Sequence, residues 1–146
     1  MEVQVKGLDK LLKKLDKLGG SIPQSVQKAL MRGGAVFEAG AKAHCPVDTG
    51  NLRDSIHTET ESENQVTVGT SVKYAPDVEF GTGPKGDPSV PHTTKKYWRY
   101  QDAQGNWHTS HGQTPQPFMR TAFAEGKDKV VEAVKESIKE DVENLK

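Results

Sequence analysis

The sequence predicts an α+β fold in which a small antiparallel sheet packs against a long helix of the N-terminal half and a helix at the C-terminus, with an inserted β-hairpin arm. Three observations predict it. Apolar residues recur at three- and four-residue steps over residues 8–44 and again from Phe118 to Leu145. Between these stretches the period falls to two, in Val66, Val68, Thr70, Val72 and Tyr74. Residues 83–114 follow neither pattern: Pro84, Pro88 and Pro91 lead into an aromatic, basic run. A length of 146 residues suits one domain, so 1–146 is expected to form a single unit interrupted by an arm over about 84–114.

The first helix is predicted from Leu8, Leu11, Leu12, Leu15 and Leu18 on one face, ending at Gly19 and Gly20. A second begins at Ser21, an N-cap residue, with Pro23 in its first turn. Its stripe runs through Ile22, Val26, Ala29, Leu30, Gly33, Phe37, Ala41 and His44, and Pro46 ends it. Gly33 and Gly34 would each cost a helix about 1 kcal/mol relative to Ala, so close packing or a kink must offset them. Core packing accounts for the neighbouring small residues, Ala35 to Ala43, more simply than contact with another subunit.

Asp48, Thr49 and Gly50 then form a turn in which the Asp carboxylate is expected to accept an N–H two residues on. Leu52–Thr60 is a strand candidate, SENQ a polar turn and Val66–Tyr74 the clearest strand. The same parity continues through Val78 and Phe80, which predicts a bent edge strand carrying residues 74–82. Within the arm, two short strands flank a turn at Ala103–Asn106. The last helix begins after Pro117, with Gly126 as a candidate interruption and Lys135, Glu136, Lys139 and Glu140 on a solvated face.

Composition narrows the function. Twenty basic side chains balance twenty acidic ones, so bulk charge gives no reason to expect a nucleic-acid or membrane partner. The N-terminal stretch reads as an amphipathic helix and not as an export signal, and no apolar run is long enough for a membrane span. The single cysteine, Cys45, excludes an intramolecular disulfide and a multi-cysteine zinc site, and suits synthesis in a reducing cytoplasm.

No catalytic constellation emerges. His44 and Cys45 are adjacent, but neighbours on a helix point apart, and a lone Cys more commonly packs as a small hydrophobe. His92, His108 and His111 lack the helical spacing and carboxylate of a hydrolytic zinc motif. GTGPKGDP lacks the spacing and the Ser or Thr of a phosphate-binding loop. The expectation is a non-enzyme with no cofactor and no metal. The arm carries the strongest binding signal: Lys95, Lys96, Trp98, Arg99 and Trp107 are candidate contacts to a partner or to DNA, with Tyr97 and Tyr100 interleaved. From Thr82 to Gln113 four basic and two acidic residues leave only +2, which favours a protein contact, or a wall facing passing DNA, over direct recognition. A small nucleic-acid-binding module using this arm is the alternative.

Three further stretches carry a family pattern. Pro46–Ser55 reads Pro-Val-Asp-Thr-Gly-x-Leu-Arg-x-Ser; Tyr74 is followed by Glu79, Phe80, Gly81 and Thr82; and Gln116, Pro117 and Phe118 open the last helix. In this order they resemble the small tail-completion proteins of long-tailed bacteriophages, also described as head-to-tail joining proteins or minor tail components, over roughly residues 1–83 and 115–146. The arm lies outside the resemblance. The resemblance implies a structural virion protein at the tail–head junction, made in the host bacterial cytoplasm, that completes the tail and joins it to the head connector. Implied partners are further copies in a ring around the DNA channel, a hexamer favoured, with head connector or stopper proteins and tail tube or tail terminator proteins. DNA would pass without sequence recognition, and no membrane is implied. Within this pattern Pro46, Asp48, Thr49, Gly50 and Leu52 are expected to shape the subunit. Tyr74, Glu79 and Phe80 are expected to pack or to touch a neighbour, with Gly81, Thr82, Pro117 and Phe118 completing the structural motif.

Overall fold

A computed structural model describes residues 5–146. Its spine is a pair of long helices, α2 (Ile22–His44) and α5 (Phe118–Asn144), which pack along much of their length. The two glycines of α2 are what bring its neighbours close. A Cβ on Gly33 would lie 3.0 Å from a Val134 methyl of α5, and one on Gly34 would lie 2.6 Å from a methyl of Thr58. Packing therefore offsets their low helix propensity, as the sequence required. Ser21 caps α2 by accepting the Gln24 N–H at 3.5 Å, and Cys45 and Pro46 end it in extended backbone. At the far end Asp141 accepts hydrogen bonds from Ser25 at 2.6 Å and from Lys28, and Arg32 pairs with Glu140 at 2.7 Å. Helix α1 (Leu8–Lys17) lays Leu8, Leu11 and Leu12 on a core of Ala29, Val134 and Ile138. Gly126 does not interrupt α5.

The middle of the chain departs from the sequence reading in three places, the smallest being that the strand expected over Val66–Tyr74 ends at Gly69. Leu52 does not begin a strand: Asn51–Ser55 form a short helix, α3, and the strand β1 is His57–Ser62. Gly50 enters α3 at φ 87°, and Leu52 and Ile56, four residues apart, both turn into the core. Strand β2 (Gln65–Gly69) pairs antiparallel with β1, Thr58 opposite Val68, with an irregularity between Thr60 and Ser62. The second departure is the expected edge strand, which is a helix, α4 (Ala75–Phe80). Pro76 lacks an N–H, which costs nothing in a first helical turn, Asp77 favours the helix dipole there, and Gly81 stops it at φ 72°, ψ −178°. Ala75 and Val78, three apart, then share one buried face, which an extended backbone would have split.

A single turn of 3₁₀ helix at Gly83–Lys85 leads into the arm, where β3 (Trp98–Gln101) and β4 (Trp107–Ser110) form a second antiparallel pair. The expected small sheet and hairpin arm are thus two separate two-stranded ribbons. The arm's base is closed by an antiparallel bridge between Thr82 and Gln113.

Candidate functional site

The three sequence motifs meet in one core. Leu52 from the first, Ala75 and Val78 from the second and Phe118 from the third are all buried, packed with Ala41, Cys45, Ile56 and Ala122. The Asp48–Gly50 turn is held differently from expectation: the Asn51 N–H is accepted by Thr49 Oγ1 at 3.3 Å, and Asp48 makes no hydrogen bond among the described residues. The hydroxyl thus makes the turn's bond one residue further on, and Asp48 is exposed. Asn51 Nδ2 donates to the Tyr74 hydroxyl at 3.2 Å, tying the first motif to the second. Between them lies an open cleft of about 320 Å³ bordered by Pro46, Asp48, Gly50, Tyr74 and Gln116.

The second and third motifs are joined through Glu79. Helix α5 has Pro117 at its N-cap position, a residue with no side-chain acceptor for the free N–H groups of the first turn. Glu79, reaching in from α4, supplies both carboxylate oxygens. Oε2 accepts the Met119 N–H at 2.9 Å, and Oε1 accepts the Arg120 N–H at 3.1 Å and Arg120 Nε at 3.0 Å. Its charge also faces the positive end of the helix dipole. Arg120 extends the joint, donating through Nη2 to the Glu79 carbonyl at 3.2 Å and through Nη1 to Asp87 at 2.9 Å, while its guanidinium sits 4.7 Å from the Phe80 ring centroid. Hydrogen bonds from the Ser89 hydroxyl and N–H, with that from Arg120, hold Asp87 down to about 2. Beside the joint the Gln116 N–H donates to the Val78 carbonyl at 2.8 Å. Gly81 leaves no room for a side chain, because a Cβ there would lie 2.4 Å from the Gln113 carbonyl oxygen.

Glu79, with 5% of its surface exposed, is thus occupied by the protein's own donors. Its geometry is that of a fastener. Asp87 and Arg120 belong to this network and Asn51 to the separate bond with Tyr74, and none of the three was singled out in the sequence. Pro117 offered one signal, since a helix opening without a side-chain cap needs an acceptor from elsewhere.

The residues with chemical potential are dispersed. His44 Nε2 lies 2.7 Å from Glu125, whereas the Cys45 thiol, pushed up by burial, donates to the Pro46 carbonyl at 3.4 Å. His92 bonds to the Val90 carbonyl, His108 to Asp102, and His111 lies against the Tyr97 ring. Among the described residues no three His, Cys, Asp or Glu side chains gather as metal ligands.

The arm's candidate contacts divide between its faces. Trp98 points back to the body, its ring 2.9 Å from where a Gly83 Cβ would be. Arg99 and Trp107 lie on the opposite face with the guanidinium 5.2 Å from the indole centroid, and Lys95 and Lys96 are exposed ahead of β3. Tyr97 and Trp107 are 62% and 60% exposed. A separate groove of about 1030 Å³ runs between β2, α4 and α5 over α2, with Phe37, Val68, Phe80, Phe123 and Val130 in its walls.

No helix among the described residues is long and apolar enough to cross a membrane. Neither the curated proteins nor the solved structures contain a match to the chain. A family model does match, described as "Bacteriophage HK97-gp10, putative tail-component", over residues 9–81. That span is 73 of 146 residues, half the chain, and runs from α1 through the first motif and the ribbon to Gly81 of the second. On that match the chain belongs to the HK97-gp10-like family of bacteriophage tail components.

Proposed function

We propose that this chain completes the phage tail and joins it to the head connector, acting at the tail–head junction as one subunit of a ring around the DNA channel. The observation that carries this reading beyond the family match is the Glu79 joint. The motif residues are committed to fixing α4 on α5 and the Asp48–Gly50 turn on Tyr74. The protein then works through surfaces and is not an enzyme, and it needs no cofactor. A rigid subunit with different patches on different sides makes heterologous contacts, which close into a ring when the rotation permits. Six-fold closure matched to the tail tube is the favoured arrangement, with a head connector or stopper on one side and the tube or its terminator on the other. DNA passes through without sequence recognition, and synthesis occurs in the host cytoplasm.

Electron microscopy of particles made without this reading frame tests the proposal. Filled heads beside unjoined or abnormal tails, restored by supplying the protein, are expected. Normal joined virions would overturn it.

A further inference from the structure

The chain has no net charge, yet its arm and its first ribbon carry opposite signs. On the arm, Lys95, Lys96 and Arg99 are exposed and none of them forms an ion pair among the described residues. Trp107 lies beside Arg99 on the face opposite Trp98, and Tyr97, exposed just ahead of β3, lies against His111. On the first ribbon, Glu59, Glu61 and Glu63 are exposed; Glu59 pairs only with His57, and Glu61 and Glu63 pair with nothing described. The ribbon's opposite face is already taken, through Thr58 against Gly34 and Glu38 of α2. Its acidic face, which Glu63 extends into the turn, pairs with no other element among the described residues.

We infer that the arm of one copy docks on the acidic face of the β1–β2 ribbon of a second copy, with Lys95, Lys96 and Arg99 opposite Glu59, Glu61 and Glu63. Charge complementarity selects this occupant. Copies with no net charge do not repel one another as wholes, so opposed local patches are free to attract. Nucleic acid fits less well, because a segment of net +2 neutralises few phosphates. Arm and ribbon are different surfaces, so the contact is heterologous and passes from copy to copy. It supplies the subunit contact of the ring proposed above and rests on that reading only for closure.

Charge reversal in the full chain tests it, with association followed by sedimentation velocity and folding by circular dichroism. Wild type is expected to self-associate at low ionic strength and to dissociate as salt is added. The variants Lys95→Glu/Lys96→Glu/Arg99→Glu and Glu59→Lys/Glu61→Lys/Glu63→Lys should each weaken association about tenfold or more, the scale of several exposed charge pairs together. Mixing the two should restore it, since each reversed arm then meets a reversed ribbon. The single variant Arg99→Glu, remote from the core, serves if a triple variant misfolds, and should weaken association in the same direction. A wild type that stays monomeric at low salt, reversed variants that associate normally, or a mixture without rescue would overturn the contact. Closed rings that survive both reversals would remove the contact and leave the ring reading. Rescue by mixing, together with normal virions after deletion, would leave the contact and remove the tail-joining function. Binding of a single-stranded oligonucleotide that needs the arm's cations, with no self-association, would overturn it in favour of nucleic acid.

Discussion

Glu79 and Arg120 are bound to each other at three points. The Glu79 carboxylate accepts the Arg120 backbone N–H at 3.1 Å and its Nε at 3.0 Å, and the Glu79 carbonyl accepts Nη2 at 3.2 Å. One residue is thereby both the cap of α5 and the anchor of the side chain that reaches Asp87 beyond it. The match of the family model ends at Gly81, so the joint fastens the family-defining part of the chain to the helix that follows the arm.

Glu79→Ala leaves two N–H groups of the first α5 turn without their acceptor and releases Arg120. Loss of a cap costs about 1 kcal/mol, and removing one partner of a fully buried ion pair would cost about 3–5 kcal/mol. Arg120 is 42% exposed, so water moderates the second figure, and a total near 3 kcal/mol is expected. Glu79→Gln keeps one carbonyl acceptor but loses the charge, and should cost about half as much. Urea denaturation measures both; a loss for Glu79→Ala within about 0.5 kcal/mol of zero would mean the cap is dispensable.

Asp87 gives the joint an acid limit. Its carboxyl is lowered from 3.8 to about 2 by Ser89 and Arg120. A folded-state value below the unfolded one means the carboxylate adds stability that is fully present above about pH 4 and is lost as pH falls through about 2. Denaturation curves of wild type and Asp87→Asn should therefore differ by a constant amount near neutrality and converge between those values. Parallel curves down to pH 2 would exclude the contribution.

The long helices were legible because their apolar stripes are local and their stops, Gly19, Gly20 and Pro46, are emphatic. The hairpin arm was legible from its aromatic strands and the turn between them. Helix α4 was missed because Val72, Tyr74, Val78 and Phe80 keep the two-residue parity of the strand before them, and six residues are too few for a helical period to outweigh it. Helix α3 was missed for the same shortness, although Leu52 and Ile56 had the helical step. Glu79 was visible as a motif residue, but its task depends on Met119 and Arg120, some forty positions away, and no periodicity encodes that distance.

Gly81→Ala tests the backbone of the joint. At φ 72° and ψ −178° the residue occupies a region reserved for glycine, and a Cβ would also lie 2.8 Å from Pro115. Strain alone costs about 1–3 kcal/mol, and the clash with backbone adds to it. A loss above about 2 kcal/mol is expected, together with faster exchange of the Thr82 and Gln113 amide hydrogens that close the arm's base. Unchanged exchange would show that the arm is anchored elsewhere.

Gly34→Ala sets two effects of opposite sign against each other. Ala improves the interior of α2 by about 1 kcal/mol. Its Cβ, however, would lie 2.6 Å from the Thr58 methyl, and Thr58 is poorly able to turn away. The side chain is β-branched, and its hydroxyl donates to Glu38 at 2.7 Å. Overpacking of this kind costs about 1–3 kcal/mol, so the single variant should be destabilised by about 1 kcal/mol net. Thr58→Ser deletes the offending methyl and keeps the hydroxyl. In that background Gly34→Ala should become stabilising, a coupling of about 1–2 kcal/mol in a double-mutant cycle. Additive effects would mean that Gly34 and Thr58 are not in contact, and that the ribbon does not dock on α2 through this pair.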